Sequence, residues 1–224
     1  MSLQFQESKH RCLTAVFFSV SVDCMKTDYI DPWLYGKIFH VMRYDNALAL
    51  RVSLETGLRI GDVLALTPDN IKGTTIYYVA QKTGKAGKKQ ISAELAEKLR
   101  KVSTKKFVFC GRDGKKPRTR QAVWKDVKRS AKIVGIDVNA GCHSARKTYA
   151  VDLYEKSGLQ AVQKELQHDR QDTSMIYALS DVLTNKRNTK GKDVDYNVLA
   201  DMIADRVYTK LLPLFEQCSI DKGE

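Results

Sequence analysis

One stretch of this chain interrupts an otherwise helical pattern, and that interruption does most to limit the folds open to it. Thr74-Thr-Ile-Tyr-Tyr-Val-Ala80 is β-branched and aromatic, and Lys89-Gln-Ile-Ser92 is a shorter run across a turn rich in Gly and Lys. Such side chains suit a pleated, half-buried surface, and two runs joined by a Gly-containing turn read as a hairpin. On both sides of it apolar residues recur at helical spacing. A lone hairpin among helices cannot form an alternating βαβ sheet. The pattern therefore predicts an α+β fold, mainly helical, with one small antiparallel sheet.

The helices have local punctuation. Asp31-Pro32 reads as a cap followed by proline at the first helical position, with Trp33, Ile38, Val41 and Met42 as the apolar stripe. A second helix is expected over about 46–55, apolar on several sides and so central, with Gly57 at its C′ end. A short helix over 62–66 stops before Pro68. Helical spacing resumes over 93–102. Past the apolar piece Phe107-Val-Phe109 and the turn GRDGKKP, Thr119 opens a helix through Val123, Val127, Ala131 and Val134 that ends at Gly135. Three more are expected over 143–157, 159–167 and 172–179, with Gly158 separating the first two. The polar run 184–195 reads as a linker. Leu199, Ile203, Val207 and Leu211 mark an amphipathic helix over 197–215.

Composition narrows the partners. The apolar fraction is 43%, enough for a core, and the net charge is +12. That charge suits an anionic partner, with nucleic acid first among them. The five cysteines, Cys12, Cys24, Cys110, Cys142 and Cys218, are widely spaced with no CxxC pair. Neither a disulfide framework nor a zinc site fits that arrangement, and a reducing cytoplasm does. Leu13–Val22 imitates a secretory signal, but it is too short to span a bilayer and no small-residue cleavage pattern follows. Its Phe18, Val20 and Val22 also alternate with serines as a half-buried strand would.

Against this background a scattered set of polar residues stands out. Arg59 lies in TGLRIGDVLAL and Lys82 in AQKTGKAGKK. His143 and Arg146 share CHSARKTYA, while His168 and Tyr177 share LQHDRQDTSMIYA, nine residues apart. These segments resemble those of the tyrosine site-specific recombinases, the phage-integrase family. TGLR-x-x-[DE]-x-x-x-L, H-x-L-R-[RK]-[ST]-[FY]-A and LGH-x(5)-T-x-x-Y are its patterns. Ala145 stands where leucine is usual and Gln167 where glycine is usual. The likeness extends over roughly 31–180.

The resemblance implies a chemistry for each position. Charge builds on the non-bridging oxygens of an attacked DNA phosphate, which calls for fixed cations. Guanidinium forks at Arg59 and Arg146 suit that need. On a helix His143 and Arg146, at i and i+3, lie on one face. Tyr177 is the implied nucleophile. A free phenol has a pKa near 10, so neighbouring cations and a base must help it ionise. Lys82 is the implied general acid for the leaving 5′ oxygen, a step typically worth ~10²–10⁴-fold. Lys85, Lys88 and Lys89 would contact DNA phosphates. Asp62, one helical turn from Arg59, would orient Arg59 or another catalytic cation. The implied reaction passes through a 3′-phosphotyrosyl link and needs no metal, ATP or other cofactor.

The implied protein is a DNA recombinase or integrase acting as a tetramer on double-stranded DNA, with the C-terminal helix either docked on a neighbouring subunit or packed on its own domain. A type IB topoisomerase-like enzyme, a transposon integrase or a non-catalytic DNA-binding regulator on this fold are the alternatives. The expected organisation is a tail or extension over 1–30, a catalytic domain over 31–183, and a linker with helix over 184–224. Family members usually carry a core-binding domain ahead of the catalytic one. Only about 30 residues precede the first helix here, as in a fragment or a minimal form.

Overall fold

Proline costs a helix nothing in its first turn, where the missing N–H would be unpaired anyway, and α1 (Pro32–Val41) begins on one. The computed structural model describes residues 27–104, 106–168, 171–181 and 184. The Phe18–Val22 alternation, the polar run beyond Thr184 and the helix expected over 197–215 lie outside the described residues. Asp31 makes no side-chain cap on α1. It hydrogen-bonds the Tyr29 phenol instead, and burial together with that carboxylate pushes Tyr29 up to about 12.

The remaining elements are α2 (Tyr44–Thr56), α3 (Ile60–Leu64), β1 (Ile71–Lys72), β2 (Thr75–Val79), β3 (Ala86–Gln90), α4 (Ala93–Val102), α5 (Arg120–Val134), α6 (Cys142–Leu166) and α7 (Gln171–Ala178). This is the α+β, mainly helical fold, with a three-stranded antiparallel sheet in the order β1–β2–β3. Thr119 caps α5 by accepting the Ala122 N–H at 3.2 Å, and Gly135 ends it at φ +73°. Gly158, at φ 77° and ψ −178°, breaks α6 where the sequence suggests a division. That conformation is open essentially to glycine alone.

The sheet differs from expectation at its polar edge. β3 spans Ala86–Gln90, with Tyr77 opposite Lys88 and Tyr78 opposite Gly87. The sequence suggests a strand starting only at Lys89, because Ala-Gly-Lys-Lys carries little β propensity of its own. Pairing with β2 makes it a strand.

Two apolar clusters organise the helices. The larger gathers Leu50 and Val52 of α2, Ile76 of β2, Leu95 and Leu99 of α4, Val127 of α5 and Ala145 at the start of α6. The smaller joins Ala150, Tyr154, Val162 and Leu166 of α6 to Ile176, Tyr177 and Ala178 of α7. Buried Asp126 ties α5 to the front of α2, accepting from the Arg43 N–H at 2.9 Å and from Asn46 Nδ2 at 2.7 Å. Burial alone would raise its pKa, but these donors and Arg129 hold it below the usual carboxylate value.

Residues 27–30 pack into this body. Ile30 is buried and its carbonyl accepts from Thr148 Oγ1 at 2.7 Å, while Tyr29 N–H donates to buried Thr184 Oγ1 at 2.8 Å. Among the described residues no helix is long and apolar enough to cross a membrane.

Candidate active site

The site begins at the end of α2. Gly57 stops that helix at φ 70°, and its N–H donates to Ser53 O at 2.9 Å. Ser53 Oγ donates to Leu58 O and Thr56 Oγ1 to Val52 O, both at 2.6 Å, which fixes the turn. A Cβ on Gly57 would meet Tyr149 Cδ1 at 2.5 Å and Leu166 Cδ2 at 2.7 Å. Only glycine fits both the dihedral and the space. The bare backbone therefore lies against α6, and the Gly57 carbonyl accepts from Arg146 Nη1. Arg59 follows at the N-cap of α3, half-buried.

Arg146 is the hub. It is 3% exposed. Besides Gly57 it donates from Nη2 to Leu166 O at 2.7 Å, and the same nitrogen lies 3.1 Å from His168 Nε2. Arginine is only a donor, so His168 Nε2 accepts and the ring proton sits on Nδ1. Nδ1 then donates to Ser174 Oγ, 3.0 Å away. The open phosphate fork expected at Arg146 is thus partly committed to protein carbonyls. Among the described residues its buried Nε–H has no partner, which leaves one donor of the fork unused. Burial, then repulsion from Arg59, lowers the Arg146 pKa to about 10, against support from the charges of Tyr177 and Asp62 and a side-chain hydrogen bond to Tyr177. The guanidinium stays charged at neutral pH.

Tyr177 closes the group. Its ring centroid lies 5.0 Å from that of His168 and 5.8 Å from Arg146 Cζ, with the residue 7% exposed. His143 lies one turn before Arg146 on α6 and is exposed to solvent. Partial loss of hydration around its ring, then the charges of Arg146, Arg59, Lys147 and Arg120, pull its pKa from 6.5 to about 4. The imidazole is neutral at pH 7. Beside it Cys142 is buried, and burial pushes its thiol up to about 12.

The hairpin residues divide. Lys82 is exposed in the loop between β2 and β3, and among the described residues no bond joins its ammonium to the Arg146 group. Its neighbour Gln81 donates its N–H to Asp62 Oδ1 at 2.9 Å. Buried Asp62 thus anchors the hairpin loop rather than bonding a cation, and acts on Arg146 through charge alone. Lys85 and Lys88 are exposed. Lys89, expected on DNA, is instead 8% exposed and donates to Glu165 Oε2 and, at 2.9 Å, to Glu165 O. Adjacent strand residues face opposite ways, so Lys88 points out and Lys89 points in.

The structure thus brings Arg146, His168 and Tyr177 into direct contact, with Arg59, His143 and Asp62 close enough to act by charge. It adds Ser174, which sequence reasoning missed. A serine six residues past a histidine carries no signal until α7 folds back over α6.

The family model described as "Phage integrase family" matches residues 33–183. Tyrosine recombinase XerD of Halalkalibacterium halodurans is 30% identical over 164 residues, covering 66% of this chain and 52% of that protein. The chain spans about half the length of the curated relatives it matches. Among solved structures, a lambda integrase dimer bound to a COC′ core site superposes with a TM-score of 0.60 at 17% identity, over 75% of this chain and 51% of that one. The catalytic domain of bacteriophage HP1 integrase gives 0.54 at 19% identity, over 74% of this chain and 99% of that one. The matched span runs from Trp33, the second residue of α1, through α7, and by that match the chain belongs to the phage integrase family.

Proposed function

We propose that this chain is the catalytic part of a site-specific DNA recombinase or integrase that cleaves and rejoins strands through a 3′-phosphotyrosyl link. The observation that carries the reading is the convergence of Arg146, His168 and Tyr177 within one buried cluster. Tyr177 Oη attacks the scissile phosphorus, the P–O5′ bond breaks, and the proton lost by the phenol is taken up by a base. Arg146, with its spare Nε–H, and Arg59 offset charge growing on the non-bridging oxygens. His143 is neutral at pH 7 and so is able to take up a proton. Lys82 supplies a proton to the leaving 5′ oxygen. Rejoining reverses these steps with another 5′-hydroxyl as nucleophile. Bond energy is kept in the tyrosyl ester, so no step draws on ATP or a metal.

Double-stranded DNA is the proposed substrate, in keeping with a net charge of +12. The reading extends to a tetramer on DNA, with residues 197–215 docking into a neighbouring subunit, and to a cytoplasmic location. Lambda integrase was solved bound to DNA, which lends the substrate class support.

The test is covalent capture from a library of nicked duplexes with a randomised centre, read as protein–DNA adduct on a denaturing gel and then sequenced. Wild type is expected to form an adduct on a recurring sequence, and Tyr177→Phe none. An adduct with Tyr177→Phe, or none with wild type across the library, would overturn the reading. Relaxation of a lone captured duplex, without exchange between paired ones, would favour the topoisomerase-like outcome.

A further inference from the structure

Gln167 is the one non-glycine residue at positive φ among those described, at φ 51° and ψ 46°. It ends α6 immediately before His168, where the family pattern has glycine. A side chain in the left-handed region is disfavoured, so its presence calls for a compensating contact. Its amide Nε2 donates to Tyr78 Oη at 3.2 Å. Tyr78 belongs to β2, 89 positions away in the chain.

The tyrosine is itself held in place. Tyr78 pairs with Gly87 of β3, and a Cβ on Gly87 would meet Tyr78 Cζ and Oη at 2.8 Å. The ring therefore lies flat across a glycine that leaves it room. Burial, the largest effect, raises the Tyr78 pKa, so the hydroxyl is intact at neutral pH. Two positions along the same face of β3, Lys89 reaches Glu165, two residues before Gln167. The hairpin is thus fastened by two adjacent bonds to the one turn that carries His168.

We propose that Gln167 is a positioning residue. It accepts a left-handed backbone so that its amide can latch Tyr78, and thereby fixes the hairpin bearing Lys82 against the turn bearing His168 and the segment bearing Tyr177. Asp62 holds the same arm a few residues on, through Gln81, and Glu165 holds the returning strand through Lys89. Lys82 thus follows directly on two tethers of β2 and its exit, one to the His168 turn and one to the Arg59 helix, with a third on β3. The latch sets where the general acid stands when the 5′ oxygen leaves. This role rests on the strand-cleavage reading above.

Gln167→Gly separates positioning from plain structure, because it keeps the turn, relieves the left-handed side chain and removes only the latch. Its melting temperature is expected within about 2 °C of wild type. Its rate of adduct formation on the captured duplex is expected to fall about tenfold with duplex affinity unchanged, a partial loss of the ~10²–10⁴-fold that a well-placed general acid supplies. Tyr78→Phe should fall alike, and the double variant no further than either single one.

A duplex with a 5′-bridging sulfur has a leaving group that needs no proton, and on it Gln167→Gly should match wild type. Equal rates on ordinary DNA, or a defect that sulfur does not rescue, would overturn the latch. Should wild type form no adduct at all, the cleavage reading fails separately. The latch is then judged by amide exchange over residues 80–85, about threefold faster in Gln167→Gly if the bond holds the hairpin and unchanged if it does not.

Discussion

His143 is held neutral at physiological pH by its surroundings. Partial loss of hydration and four neighbouring cations bring its pKa to about 4 from 6.5. Between those values an unfolded chain binds the proton and a folded one does not, so the folded state loses stability as pH falls from 6.5 toward 4. The ring is partly open to solvent, so screening reduces the effect to ~1 kcal/mol. Urea unfolding at pH 7 and pH 4.5 should show wild type losing that much more than His143→Gln, which has no such proton to exclude. Parallel losses in both would refute the assignment. At this scale the sequence was legible where spacing is local: His143 and Arg146 share a helical face, and Tyr177 follows His168 at a fixed interval. Ser174 on the His168 ring and the Gly57 carbonyl under Arg146 were not. Those partners, the second 89 positions from Arg146, exist only after α7 and the α2 turn close on α6.

The hairpin shows the same limit at the scale of an element. Its first strand announces itself through Ile76, Tyr77 and Tyr78, but β3 is Ala-Gly-Lys-Lys-Gln and is a strand only because β2 pairs with it. Missing its start hides the alternation that sends Lys88 outward and Lys89 inward. The two lysines should therefore fail differently. Lys89→Ala removes a buried ammonium from Glu165 and its carbonyl, and is expected to cost about 1–3 kcal/mol in unfolding free energy with little change in the salt dependence of DNA binding. Lys88→Ala is expected to leave stability within about 0.5 kcal/mol and to reduce the slope of log affinity against log salt by about 1. Anisotropy titrations on the captured duplex at several salt concentrations, paired with denaturant melts, check both. If Lys89→Ala flattened the slope while remaining stable, Lys89 would belong with the DNA-facing residues after all.

For the whole molecule, the arrangement is two clusters with the site on their seam. Arg146 sits on α6 between Ala145 of the larger cluster and Ala150 of the smaller, and Tyr177 is part of the smaller one. The periodicities of the sequence supply the helices but not which of them share a cluster, since that depends on contacts such as Ile30 to Thr148, 118 positions apart. Because Tyr177 lies in the smaller cluster, the chain leaves α7 close to the proposed nucleophile. Thr184, seven residues on, is already anchored by Tyr29. A subunit that seated residues 197–215 of its neighbour would therefore be tethered at a fixed point close to the proposed nucleophile, and assembly would hold neighbouring sites near one another. On the captured duplex, sedimentation of wild type is expected to show complexes larger than two protomers per paired site. Deletion of residues 196–224 should leave only the smaller complex, with unfolding free energy unchanged. Identical sedimentation with and without the segment would mean that it packs on its own domain, and the tether between subunits would not exist.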